Sequence, residues 1–334
     1  MRLDRTADVA QFPDASSQSS NHGQPKTRLA QLPLMPLQIV HHPDYDAGFA
    51  VNHRFPMSKY KLLMEALGAR GLAGHAALNM PEPAPASWLK LAHAAGYVDQ
   101  VLACEVPEKI EREIGFPIGP RVSLRAQLAT GGTVLAARLA LLNGIACNTA
   151  GGSHHARRAQ GAGFCTFNDV AVASLVLLAE AAAGNILIVD LDVHQGDGTA
   201  DILGDERRVF TFSMHGDRNY PTRKIASDLD IALPDGIGDA AYLERLGGIL
   251  PELTAKARWD IVFYNAGVDV HAEDRLGRLS LSNVGLRARD DMVIRHFRAL
   301  NIPVCGVIGG GYSTDVAALA ARHAILFETA SGFA

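Results

Sequence analysis

Short apolar, β-branched runs recur along this chain, and each gives way first to glycine or polar residues and then to helical spacing. The runs lie at 144–147, 186–189, 209–212, 260–264 and 303–308, with an earlier one at 37–40. Between and after them, apolar residues at spacings of three and four predict helices over 168–183, 240–257, 284–300 and 315–329. Two further helical stretches precede them. One covers 59–102 and is broken by the proline cluster at 81–85; the other covers 123–142. Strands alternating with helices predict a parallel sheet covered on both faces. In all five later units the polar or glycine residues fall after the strand, so the folded sheet gathers them along one edge, where open α/β sheets bind ligands.

The stretch N-I-L-I-V-D-L-D-V-H-Q-G-D-G-T over 185–199 organises that edge. Its first half suits a strand buried on both faces. Its second half carries Asp190, Asp192, His194 and Asp197, and the first three share one face if the strand continues that far. A lone Asp-x-His after a strand also fits a solvated loop. Three carboxylates around one His favour a metal site. With Asp269, which follows the run at 260–264, Asp192 and His194 make two carboxylates and one imidazole. Such a three-ligand set, with a position left for water, is that of a catalytic zinc. His154 and His155 follow two glycines and fall outside that set, so they are acid and base candidates, with Asp190 and Asp197 available to orient their rings. Gly309 to Gly311 lets the backbone approach closely and presents Tyr312 as a donor to an oxyanion. Read alone, Tyr312 equally fits a core tyrosine after a glycine turn. A phosphate loop is excluded, because neither Gly-x-Gly-x-x-Gly nor a following Lys-Ser/Thr is present. The pair His41-His42 has no partner set nearby and is read as structural.

Composition narrows the class. The chain has 334 residues, 48% hydrophobic and 20% charged, which describes an ordinary globular protein. A net charge of −4 leaves no electrostatic footprint for nucleic acid. The four cysteines lack C-x-x-C spacing, so reduced thiols and a cytoplasmic setting are expected. No transmembrane run or secretory signal is read, and no membrane partner is expected. Residues 1–36 are rich in Ser, Gln, Asn and Pro and are expected to form a mobile N-terminal tail, followed by one domain over 37–334.

Together the motifs D-L-D-V-H-Q-G-D-G (190–198), G-G-S-H-H-A (151–156), G-F-C (163–165) with Asn168-Asp169, N-A-G-V-D (265–269) followed by E-D-R-L-G (273–277), and G-G-G-Y (309–312) resemble the zinc-dependent histone deacetylase superfamily. Gln195 and the Y-N-A-G run at 264–267 look most like its class IV branch and bacterial relatives. The resemblance implies an arginase/deacetylase-like α/β domain with a parallel sheet of about eight strands. It implies zinc on Asp192, His194 and Asp269, the dyads His154–Asp190 and His155–Asp197, and Tyr312 as oxyanion donor. Gly163 and Phe164 would form one wall of a substrate tunnel. Tyr220 stands where the family usually has an opposing Phe, and Leu276 stands where polyamine deacetylases carry an acidic gatekeeper. A structural potassium ion on Asp190 and neighbouring carbonyls is also implied. The expected activity is hydrolysis of an N-acyl-lysine or related acylamine amide, with an acylated lysine peptide, protein or acylamine as partner. The alternatives are a polyamine or small-molecule deacetylase, an arginase-like ureohydrolase (opposed by Gly196, where a further metal-binding Asp would stand) and an inactive acyl-lysine reader.

Overall fold

The computed structural model describes residues 36–50, 53–74 and 77–334, and the described residues belong to one compact unit, Met35–Ala334. The expected tail lies outside the described residues except for its last position. The strands are β1 (Gln38–Val40), β2 (Leu78–Asn79), β3 (Ile145–Asn148), β4 (Ile186–Asp190), β5 (Val209–Gly216), β6 (Leu229–Leu233), β7 (Ile261–Gly267) and β8 (Val304–Gly309), and the six apolar runs become all of them but β2 and β6. They form one wholly parallel sheet in the order β2-β1-β3-β8-β7-β4-β5-β6. Every residue of β3, β4, β7 and β8 is buried, as expected of strands covered on both faces.

The helices are α1 (Lys59–Ala69), α2 (Ala86–Ala92), α3 (Ala95–Ala103), α4 (Glu108–Ile114), α5 (Pro120–Asn143), α6 (Asp169–Ala179), α7 (Asp197–Leu203), α8 (Asp239–Lys256), α9 (Asn283–Ala299) and α10 (Val316–Ser331). One layer is built of α1, α10, α9 and α8 in contact, and the other centres on α5 with α6 and α2. Their starts follow from local chemistry. Pro120 opens α5, and Asn168, Ser282 and Asp315 cap α6, α9 and α10 through side-chain oxygens that accept a backbone N–H. Each such cap is worth about 1 kcal/mol.

Several elements differ from the sequence expectation. The helical pattern over 59–102 ends as a first helix at Ala69, well before the prolines, and the strand β2 interrupts it. Strand β4 stops at Asp190, where the Asp190 Oδ1 accepts the N–H of Asp192 at 3.1 Å and turns the chain. Asp190 therefore separates from Asp192 and His194 instead of sharing a strand face with them. Helix α4 and edge strand β6 fall outside the sequence expectation. Among the described residues, no helix is long and apolar enough to cross a membrane. The four cysteines are all free.

Register aligns the sheet's working edge. Asn148, Val307, Asn265, Asp190 and Ser213 stand side by side on β3, β8, β7, β4 and β5. Beyond this row lie the segments holding His154, Tyr312, Asp269 and Asp192. Strands β3 and β4 follow one another in sequence yet have β8 and β7 between them, a change of strand order of the kind that opens a crevice at the carboxyl edge.

Candidate active site

The loop after β4 and the loop after β7 bring Asp192, His194 and Asp269 together, all fully buried, with one donor atom from each lying within 4.8 Å of the others. His194 Nδ1 lies 3.0 Å from Asp192 Oδ1 and 3.1 Å from Asp269 Oδ2. Backbone N–H groups fix the carboxylates: Val193 donates to Asp269 Oδ1 at 2.9 Å and His194 donates to Asp192 Oδ1 at 2.9 Å. Among the described residues, Asp192 Oδ2 is buried without a hydrogen-bond partner. Burial pulls the His194 imidazole down, but the two carboxylates outweigh it and raise its pKa to about 10. The cluster therefore demands a cation, and a dication bound by neutral imidazole and two carboxylates meets that demand better than a single proton. The donor set fits zinc.

Beside it stand two His–Asp pairs of equal geometry and unequal charge. His154 Nδ1 lies 2.6 Å from Asp190 Oδ2, and His155 Nδ1 lies 2.6 Å from Asp197 Oδ1. The other oxygen of Asp190 meets only the neutral donors Asn265 Nδ2 and the Asp192 N–H, at 2.9 and 3.1 Å. The other oxygen of Asp197 receives the Arg157 guanidinium, Nε at 2.9 Å and Nη2 at 2.7 Å. Asp197 is thus shared between His155 and Arg157. Burial and the adjacent His154 push His155 down to about 3. Burial also lowers His154, but Asp190 and Asp192 lift it to about 9. The two imidazoles are thus pushed in opposite directions, with ring centroids 4.1 Å apart.

The glycine turn after β8 delivers Tyr312. Gly310 has φ +49°, and a Cβ there would lie 2.0 Å from Asp269 Oδ2, so the turn and the carboxylates fit only without a side chain. Asp274 holds the turn from below: its Oδ2 accepts the Tyr312 N–H at 2.7 Å, and its Oδ1 accepts those of Leu276 and Gly277 at 2.8 and 2.9 Å. Lys59 on α1 donates to the Gly310 carbonyl and lies 5.9 Å from the Tyr312 ring centroid. The Tyr312 ring lies 6.1 Å from that of His194 and 5.6 Å from that of Phe164, and its hydroxyl makes no hydrogen bond among the described residues.

A cavity of about 400 Å³ opens above His155, His194 and Tyr312, lined also by Gly163, Phe164, Tyr220 and Leu276. Gly163 sits so close to His155 that a Cβ would lie 2.6 Å from its Cδ2. The Tyr220 ring stands edge-on to His155 at 4.7 Å between centroids, and Phe164 lines the same cavity. All twelve candidate residues are thus brought to one place. His41 and His42 are not among them: His41 bonds Thr149 at 2.7 Å, and His42 caps a short turn. The sequence reading missed Lys59, Arg157 and Asp274. Only Asp274 had a signal, since it stands in the E-D-R-L-G run beside Asp269.

The histone deacetylase domain model matches residues 53–327. The chain belongs to the histone deacetylase family. An uncharacterized protein of Picosynechococcus sp. is 45% identical over 89% of this chain and 99% of its own length. Histone deacetylase 2 of Arabidopsis thaliana is 30% identical over 84% of this chain and 76% of its own. Among solved structures, a histone deacetylase homologue from Aquifex aeolicus superposes with a TM-score of 0.74 at 25% identity, covering 89% of this chain and 84% of that one. Membership of this family places the chain among hydrolases of the deacetylase type.

Proposed function

We propose that the protein hydrolyses the amide of an N-acyl-lysine or related acylamine, with zinc held by Asp192, His194 and Asp269. The observation that carries this reading is the convergence of those three donors, with Asp192 Oδ2 unpartnered, beneath a cavity that also exposes His155 and Tyr312. A zinc ion at such a site supplies a Lewis acid for the acyl carbonyl and lowers the pKa of water.

The chain's own groups do the rest. Asp197 accepts a hydrogen bond from His155, so the proton of the neutral ring sits on Nδ1 and the Nε2 lone pair faces the cavity. His155 Nε2 takes a proton from the attacking water and returns it to the leaving amine nitrogen. Asp197 stabilises the transient imidazolium, and Arg157 keeps that stabilisation modest, so the proton is given up again. His154, paired with Asp190, acts as an electrostatic partner. The Tyr312 hydroxyl donates to the oxyanion as the carbonyl carbon becomes tetrahedral. Phe164 and Tyr220 flank the aliphatic chain, and Leu276 makes the rim apolar at that point. Placement in the class IV branch rests on the residue type at Gln195 and on the Y-N-A-G run at 264–267.

His155→Ala tests the base. Turnover should fall by at least the roughly 10²–10⁴-fold of a lost general base while metal content is kept. Normal turnover in that variant would refute the assignment.

A further inference from the structure

The wall of the entrance carries a charge opposite in sign to the chain as a whole. Four arginines line the cavity, Arg54, Arg112, Arg218 and Arg278, against one carboxylate, Glu113, although the net charge is −4. All four are exposed. Glu108 holds Arg112 at 3.1 Å, and Asp235 is shared by Arg278 at 3.2 Å and Arg218 at 3.9 Å. Arg54 has no charged partner among the described residues. Even with Glu108 and Asp235 counted behind the wall, positive charge remains in excess. Each guanidinium offers five N–H donors, and one carboxylate satisfies at most a few of them, so donors remain for a ligand.

The acyl end of a substrate must pass inward toward His155 and Tyr312. The part that carries the amide nitrogen therefore rests against this rim. We propose that the enzyme takes its acyl-lysine from an acidic sequence context, with Asp or Glu flanking the modified residue, and discriminates against polycationic substrates such as basic tails and acylated polyamines. The inference rests on the deacylase reading of the site. It concerns what surrounds the scissile amide and leaves the chemistry unchanged. Exposed rim charges act on encounter and on ground-state binding, so the preference appears in KM more than in kcat and weakens as salt screens it.

The test uses the zinc-loaded enzyme and three acyl-lysine peptides of equal length, flanked by Glu, Gln or Lys, with an acetylated polyamine as a fourth substrate. At low salt, kcat/KM should be roughly tenfold or more higher for the Glu-flanked than for the Lys-flanked peptide, carried mainly by KM, and the ratio should shrink toward one at about 0.5 M salt. Arg54→Glu with Arg218→Glu should narrow or invert the ratio, which is read within one preparation and is therefore insensitive to the amount of folded enzyme. Turnover of the Gln peptide with no flank preference, or with a Lys or polyamine preference, overturns this inference and leaves the deacylase reading standing. Hydrolysis of none of the four overturns the deacylase reading, and this inference with it.

Discussion

Replacing Gly310 by Ala probes the metal cluster without touching a ligand. The new methyl carbon would lie 2.0 Å from Asp269 Oδ2 and 2.7 Å from Asp192 Oδ2, while ordinary contact begins near 3.4 Å. One carboxylate must therefore withdraw by more than 1 Å, several times the roughly 0.2 Å within which metal–ligand distances hold. The left-handed backbone at φ +49° adds about 1–2 kcal/mol of strain for a residue with a Cβ. Disturbing the support of metal ligands costs roughly 10- to 100-fold in affinity, and displacing a ligand costs more. Titration of the apoprotein with zinc against a competing chromophoric chelator should show at least that loss, with kcat/KM falling in step. Gly68→Ala on α1, where a Cβ would meet nothing within 4 Å among the described residues outside its own helix backbone and chain neighbours, is the matched control. It should keep metal affinity and gain roughly 0.5–1 kcal/mol in unfolding free energy. Wild-type zinc affinity in Gly310→Ala would refute the packing of this turn against the carboxylates.

Tyr312→Phe should lower kcat by roughly 10²–10³-fold with metal content unchanged, as for removal of one oxyanion donor. Asp274→Asn should slow the wild type but add little to Tyr312→Phe, because Asp274 acts by holding the Tyr312 backbone; fully multiplicative effects in the kinetic double-mutant cycle would contradict that. Buried His93 accepts the Asn168 N–H on Nε2 and bonds the Arg157 carbonyl through Nδ1, and burial pushes it down to about 4. Its folded pKa lies below its unfolded value, so the stability it contributes is present above about pH 6.5 and is lost as pH falls toward 4. Urea unfolding should show roughly 2 kcal/mol less stability at pH 5 than at pH 7 from this residue, a difference that His93→Gln removes; an unchanged pH dependence would contradict the assignment.

The parts of the site legible in the sequence share a physical reason. His154, Asp192, Asp269 and Tyr312 each fall within a few residues of the end of a buried strand, and parallel strands bring such ends to one edge. The pairings His154–Asp190 and His155–Asp197 could be named because the resemblance supplied them, and the geometry agrees. What spacing could not show was support arriving from elsewhere. Lys59 reaches the Gly310 carbonyl across 251 positions of sequence, from a helix whose pattern looked ordinary. Arg157 reads as one of two arginines in a loop, and its bidentate grip on Asp197 is a fact of tertiary structure. The edge strands β2 and β6 also escaped notice, since two residues carry no periodicity and β6 is half exposed.

The most direct test of the central claim is metal stoichiometry measured alongside turnover on acyl-lysine peptides of graded acyl length. The enzyme as purified, the chelated enzyme and the chelated enzyme refilled with zinc should be compared in one assay. Hydrolysis of at least one peptide, its loss on chelation and its return at one zinc per chain are the predicted results. Equal turnover with and without bound metal, or activity that requires two metal ions per chain, would contradict the account.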